Sequence, residues 1–190
     1  MPLQRCTCCA DVCPDATPLC GACLVKPPAF DATLACWAYG FPVDALVAGF
    51  KFHQKLALLP FLSAALSHLP RPDIDILVSI PLHPKRLRHR GFNQSDLLAS
   101  RLARAWGVPY RGGALKRVRD NQAQHTLKLK HREKNARHIF TALPLVKGLR
   151  VGVVDDVMTT GATLNDAARA LKAEGALSVV NIVLARTLKT

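Results

Sequence analysis

Two periods of apolar residues alternate along this chain of 190 residues. Short runs rich in β-branched or aromatic side chains, Leu34–Tyr39, Ile74–Ile80 and Val151–Val154, predict strands, the last two buried. Val43–Phe52 and Leu56–Leu69 read as helices. The second is almost wholly apolar and so expected in the interior, with Pro70-Arg71-Pro72 ending it. Leu98-Ala99 fall on a further helix, and Leu164, Ala167, Ala168 and Leu171 recur at helical spacing. Strands alternating with helices predict an α/β sheet with crossover connections. Pro27-Pro28 reads as a short linker, dividing the chain into an appendage, 1–26, and a main domain, 27–190.

The junction between the last strand and helix carries the densest chemistry. The run Val151–Val154 ends on Asp155 and Asp156, and Thr159-Thr160-Gly161-Ala162-Thr163 then leads into the helical pattern. Backbone N–H groups and hydroxyls at the positive end of a helix dipole are suited to a phosphate. The two carboxylates repel phosphate but accept hydrogen bonds from sugar hydroxyls. A phosphate cradle beside a diol acceptor suits a ribose 5-phosphate. The pattern D-D-x-x-T-T-G-x-T recurs by chance on the order of 10⁻⁸ per window at average residue usage. Neither G-x-x-x-x-G-K-[ST] nor G-x-G-x-x-G occurs. In these residues the chain resembles the type I phosphoribosyltransferases, whose signature loop binds 5-phosphoribosyl-1-pyrophosphate (PRPP). The resemblance implies that Asp155 and Asp156 hold the ribose 2- and 3-hydroxyls and that Thr159–Thr163 hold the 5-phosphate.

Charge sharpens this picture. The chain carries a formal +13, and residues 81–138 alone hold 15 Lys and Arg against 3 Asp and Glu. Such concentration implies a polyanionic partner, pyrophosphate or nucleic acid. Lys85, Arg86, Arg88 and Arg90 follow the strand Ile74–Ile80, on the edge where open α/β sheets bind ligands, and so are expected near the cradle as pyrophosphate ligands. Segment 116–138 is also basic and poor in large apolar residues. Aromatic platforms for base stacking are few (Trp106 and Tyr110), so any nucleic-acid binding would run through the backbone. No apolar run reaches the length of a membrane span, and the first residues lack a secretory h-region, which places the expected site of action in the cytosol.

Six of the seven cysteines lie within the first 23 residues. Cys6 and Cys9, then Cys20 and Cys23, form two C-x-x-C knuckles that together offer four thiolates to one tetrahedral Zn²⁺. About 25 residues cannot bury enough surface to fold alone, so a metal must supply the folding energy. A disulfide framework is disfavoured by the odd cysteine count and the absent signal sequence. Cys8 and Cys13 are near enough to replace one of the four, and Cys36 reads as a core residue.

A narrower resemblance spans Cys6 to about Leu184. The stretch from Ile80-Pro81-Leu82-His83 through Arg90-Gly91-Phe92-Asn93-Gln94 resembles the ComF family of competence-associated proteins, including its GntX-like members. Further landmarks follow in family order: the cysteine knuckles, Tyr39-Gly40-Phe41-Pro42 leading to Phe50-Lys51-Phe52, Gln124 and Leu127, Arg132 and Asn135, Phe140, and the DDVMTTGATL loop. Asn121 departs from the Thr common there. The resemblance implies a type I phosphoribosyltransferase fold with an N-terminal zinc ribbon. It also implies PRPP binding with Mg²⁺, a loop over 116–138 that closes on PRPP, and a role in natural competence and uptake of single-stranded DNA. If the protein is an enzyme, it is a phosphoribosyltransferase acting on an acceptor the sequence does not identify. Two other readings stay open at this point: a nucleobase-salvage transferase, and a non-catalytic PRPP-sensing module that binds nucleic acid.

Overall fold

The computed structural model describes residues 4–13, 17–52, 55–118 and 139–188. After a one-turn helix α1 (Gly21–Val25) come β1 (Ala32–Ala38), α2 (Val43–Phe52), α3 (Leu59–Ser67), β2 (Ile76–Ser79), α4 (Pro84–Arg90) and α5 (Gln94–Trp106). The chain continues through β3 (Leu115–Arg117), β4 (Phe140–Ala142), β5 (Arg150–Met158), α6 (Ala162–Ala173) and β6 (Ser178–Arg186). Four strands form one parallel sheet in the order β1-β6-β5-β2, and β3 and β4 form a separate antiparallel pair.

Alternation along the strands sorts the core into two layers. Ile76 and Val78 of β2, Val151 and Val153 of β5, and Val179 and Val183 of β6 pack with Leu164, Ala168 and Leu171 of α6. Leu77, Val154, Ile182 and Leu184 pack instead with Phe50, Leu62 and Leu66 of α2 and α3 and with Leu98 and Leu102 of α5. Parallel strands covered on both faces must be apolar at successive positions, and these are. Among the described residues, no helix is long and apolar enough to cross a membrane.

One helix and one cysteine differ from the sequence expectation, and one helix was not expected. The helix expected over Leu56–Leu69 begins as a 3₁₀ turn, Leu56–Leu58, and becomes α-helical only at Leu59. Pro60 is the cause: it has no N–H to donate and is tolerated only in a helix's first turn. That helix is also less enclosed than expected, because Phe61 stays exposed and stacks on Trp37 with ring centroids 6.0 Å apart. The basic stretch after β2 is itself a helix, α4, capped by His83, whose Nδ1 accepts from the Lys85 amide at 3.2 Å, and ended by Gly91 at φ +81°. Cys36 is half-buried on β1, where burial pushes its thiol up to about 12.

Candidate functional site

The strand β5 runs on through the acidic pair to Met158, since β6 offers backbone partners that far: Asp155 pairs with Val183 and Val157 with Ala185. Both carboxylates therefore sit in a rigid strand rather than in a loop. Asp156 is 3% exposed. Its Oδ1 is 2.7 Å from Lys51 Nζ, at the end of α2, and its Oδ2 accepts from Gln94 Nε2 at 2.7 Å. Asp155 is partly exposed; its Oδ1 accepts from Ser95 Oγ at 2.9 Å and from the Asp156 amide at 2.9 Å. Burial, with the neighbouring Asp156 charge, pushes the Asp155 carboxyl up to about 7.

The first turn of α5 is thus the partner of both acids, and several bonds fix its place. Asn93 caps it by accepting from the Ser95 amide at 3.1 Å, while its Nδ2 donates to the Ile80 carbonyl at 3.0 Å. Asp96, in the same turn, accepts hydrogen bonds from Ser79 of β2 and from Tyr110, the latter at 2.9 Å. Gln94 also accepts from Arg90 Nη1 at 2.5 Å, and the Arg90 guanidinium carbon stands 5.2 Å from the Phe52 ring centroid.

A cleft of about 710 Å³ opens beside the two acids. Asp155, Asp156, Lys85, Arg86, Arg90 and Thr163 line it, all singled out by sequence. Arg88 does not line it. Lys51, Gln94 and Arg117 line it too. The sequence marked Lys51 and Gln94 only as family landmarks and gave no reason to place them on an acid. Arg117 belongs to β3, which pairs with β4 and so brackets the segment between them. The expected closing loop over 116–138, with Gln124, Leu127, Arg132 and Asn135, lies outside the described residues from 119 onward.

The Thr159–Thr163 turn stands at the entrance of α6. Gly161 adopts φ +80° there, and a Cβ would come within 2.6 Å of Met158 Cε. The Ala162 amide donates to Thr160 Oγ1 at 3.3 Å. Thr159 and Thr160 are exposed; Thr160, Gly161 and Ala162 border a smaller hollow of about 190 Å³ on the side of the cysteine knuckles. The turn therefore divides the large cleft from the small hollow, with Thr163 on the cleft side.

The Sγ atoms of Cys6, Cys9, Cys20 and Cys23 lie within 4.8 Å of one another, with Cys9 and Cys20 3.5 Å apart. Tetrahedral zinc with bonds near 2.3 Å requires sulfur separations of roughly 3.8 Å, so the cluster is compatible with structural zinc. Cys8 and Cys13 stand outside it; the Cys8 thiol donates to the Phe30 carbonyl at 3.7 Å. Burial among neighbouring thiols pushes Cys9 up to about 11, and a cation would reverse that penalty by binding the thiolate.

Comparison with known proteins identifies the family to which the chain is similar. The family described as Phosphoribosyl transferase domain matches residues 90–190. The DNA utilization protein YhgH of Salmonella typhi is 36% identical over 179 residues, covering 89% of this chain and 78% of that protein. Competence protein F of Haemophilus influenzae is 34% identical over 170 residues, covering 82% and 73%. Among solved structures, the glutamine PRPP amidotransferase of B. subtilis, complexed with ADP and GMP, is 23% identical over 66% of this chain and 25% of that chain, at a TM-score of 0.49.

Proposed function

The chain belongs to the phosphoribosyl transferase domain family, in its competence protein F and YhgH group, and from that premise we propose that the cleft binds PRPP. One observation carries the reading: an acidic pair, Thr163 of the helix-entrance turn and three cations from α4 line one cleft at the carboxyl end of β5.

In this reading Asp155 accepts a ribose hydroxyl. Asp156, already braced by Lys51 and Gln94, completes the diol site and holds Asp155 in register. The amides and hydroxyls of Thr159, Thr160, Gly161, Ala162 and Thr163 take the 5-phosphate at the positive end of α6. Lys85, Arg86 and Arg90 take the pyrophosphate; Arg88, on the same helix, is the fourth cation expected for it although it does not line the cleft. The Asp155 carboxylate is a hard oxygen donor suited to Mg²⁺, which when bound with PRPP would neutralise phosphate charge. In a transfer reaction an acceptor bonds to ribose C1 as the bond to pyrophosphate breaks, and the pyrophosphate leaves with the electron pair. The α4 cations stabilise that departing charge electrostatically.

The relatives' names supply the setting. We place this protein in natural competence and DNA utilization, with single-stranded DNA as a candidate partner of the basic residues and zinc as the metal of the four cysteines. The chain acts in the cytosol in this reading.

Calorimetric titration of PRPP with Mg²⁺ tests the cleft. The wild-type chain is expected to bind, and the pair Asp155→Asn with Asp156→Asn to bind at least roughly tenfold more weakly, one lost charge-assisted contact being worth about 1.5–3 kcal/mol. No heat from the wild type, or equal affinity in the double variant, would reject the assignment. Release of pyrophosphate with a panel of free bases would shift it towards nucleobase salvage.

A further inference from the structure

Arg186, the last residue of β6, is 2% exposed, an uncommon position for a guanidinium. Its donors divide between two parts of the molecule. Towards the cysteine knuckles, Nε donates to the Cys9 carbonyl at 2.9 Å and Nη2 pairs with Asp11 Oδ2 at 3.3 Å. Towards the phosphate turn, Nη1 donates to the carbonyls of Met158, at 3.2 Å, and of Thr159, and also to that of Thr187 at 2.6 Å. Cys9 is a member of the thiol cluster, and Met158 and Thr159 lead into the turn. One planar, pre-organised fork is thus hydrogen-bonded to both.

The direction of those bonds has a consequence at the turn. A trans peptide is planar, so a carbonyl pinned one way fixes the following N–H the opposite way. The Met158 carbonyl is held jointly by Arg186 and by the Thr187 amide at 3.0 Å, and the Thr159 carbonyl by Arg186, which aims the following Thr159 and Thr160 amides away from Arg186. Those amides are donors the 5-phosphate needs. On the other side, the Cys9 carbonyl stays in reach only while its knuckle keeps its shape, and a four-thiolate metal is what gives such a short segment its shape.

We propose that Arg186 is a positioning residue that couples the cysteine-knuckle site to the phosphate turn, so that PRPP affinity depends on zinc although Arg186 lines no part of the PRPP cleft. The inference rests on the reading of that cleft as a PRPP site. Coupling between sites is reciprocal, so bound PRPP must in turn retain the metal. Asp11, 5% exposed, extends the tie from the knuckle backbone to a side chain.

The test compares three forms of the full chain: zinc-loaded wild type, the same protein stripped by a chelator under reducing conditions, and zinc-loaded Arg186→Lys, which keeps the charge but loses the fork. Without ligand, amide resonances of Thr159 and Thr160 are expected to shift and broaden in the stripped and Arg186→Lys forms, while those of α5 stay in place. Unchanged turn resonances, or an equal collapse of α5, overturn the proposal. With PRPP, affinity is expected to fall roughly tenfold in both altered forms, and saturating PRPP to slow zinc transfer to the chelator. Equal PRPP affinity in all three overturns it as well. Failure of the loaded wild type to bind PRPP removes the reading of the cleft, and the ligand-free resonances still decide the tie.

Discussion

Asp155 and Asp156 are neighbours in one strand, yet their surroundings give them different work. Asp156 has the Lys51 cation on one oxygen and the Gln94 amide donor on the other, so both of its oxygens are already engaged. Asp155 receives a hydroxyl and a backbone amide but, among the described residues, no cation within ion-pair distance, and its carboxyl is pushed up to about 7 from 3.8. A raised carboxyl pKa means that the folded protein keeps a proton the unfolded chain has released. Its stabilising contribution is therefore complete below about pH 4 and is lost as pH rises through about 7. Urea unfolding of the wild type and Asp155→Asn at pH 5, 6, 7 and 8 should show the wild type losing stability relative to the variant up to neutrality and none beyond. A constant difference across that range would refute the assigned ionisation.

At the level of elements, the site depends on how α5 begins. Its first turn delivers Gln94 and Ser95 to the two acids, and Asn93 both caps that turn and holds the Ile80 carbonyl at the end of β2. Asn93→Ala removes the cap and leaves a buried carbonyl unpaired, which should cost about 1–2 kcal/mol of unfolding free energy. Urea denaturation with an unchanged slope would report this, and PRPP affinity should fall with it; a loss below about 0.5 kcal/mol would show that the cap does not hold the helix. Much of this layout was legible beforehand. Apolar runs located β1, β2 and β5, and helical spacing located α2 and α6. The helix α4 was signalled by Pro84 at its first position and Gly91 just past its end, yet its dense charge reads as a loop. The extension of β5 beyond the acids was not legible, because it depends on pairing with β6 rather than on the polarity of Asp155 and Asp156. For the same reason the sequence could not reveal that Lys51 and Arg186 are site partners: each meets its contacts across the fold.

Across the whole molecule, the N-terminal segment is joined to the main domain by more than its linker. Cys6, Cys8, Cys9, Cys13 and Cys23 are buried in the same apolar cluster as Phe30, Met158 and Leu164, so the knuckles lie on the α6 face of the sheet. The Thr33 amide, on β1, also donates to the Thr7 carbonyl at 3.5 Å. A division at residues 26 and 27 nevertheless predicts an order of loss, because the short segment has few large apolar residues and the sheet has its own two-layer core. Metal analysis of protein purified under reducing conditions should find about one zinc per chain, as one four-thiolate site requires. A chelator that removes it withdraws roughly 10–16 kcal/mol of binding energy from the segment that depends on it. Limited proteolysis should then cut among residues 4–25 while leaving a resistant fragment beginning near residue 27. Absence of zinc would reject the ribbon; cleavage spread equally through the sheet would show that ribbon and domain fold as one unit, with the metal supporting both.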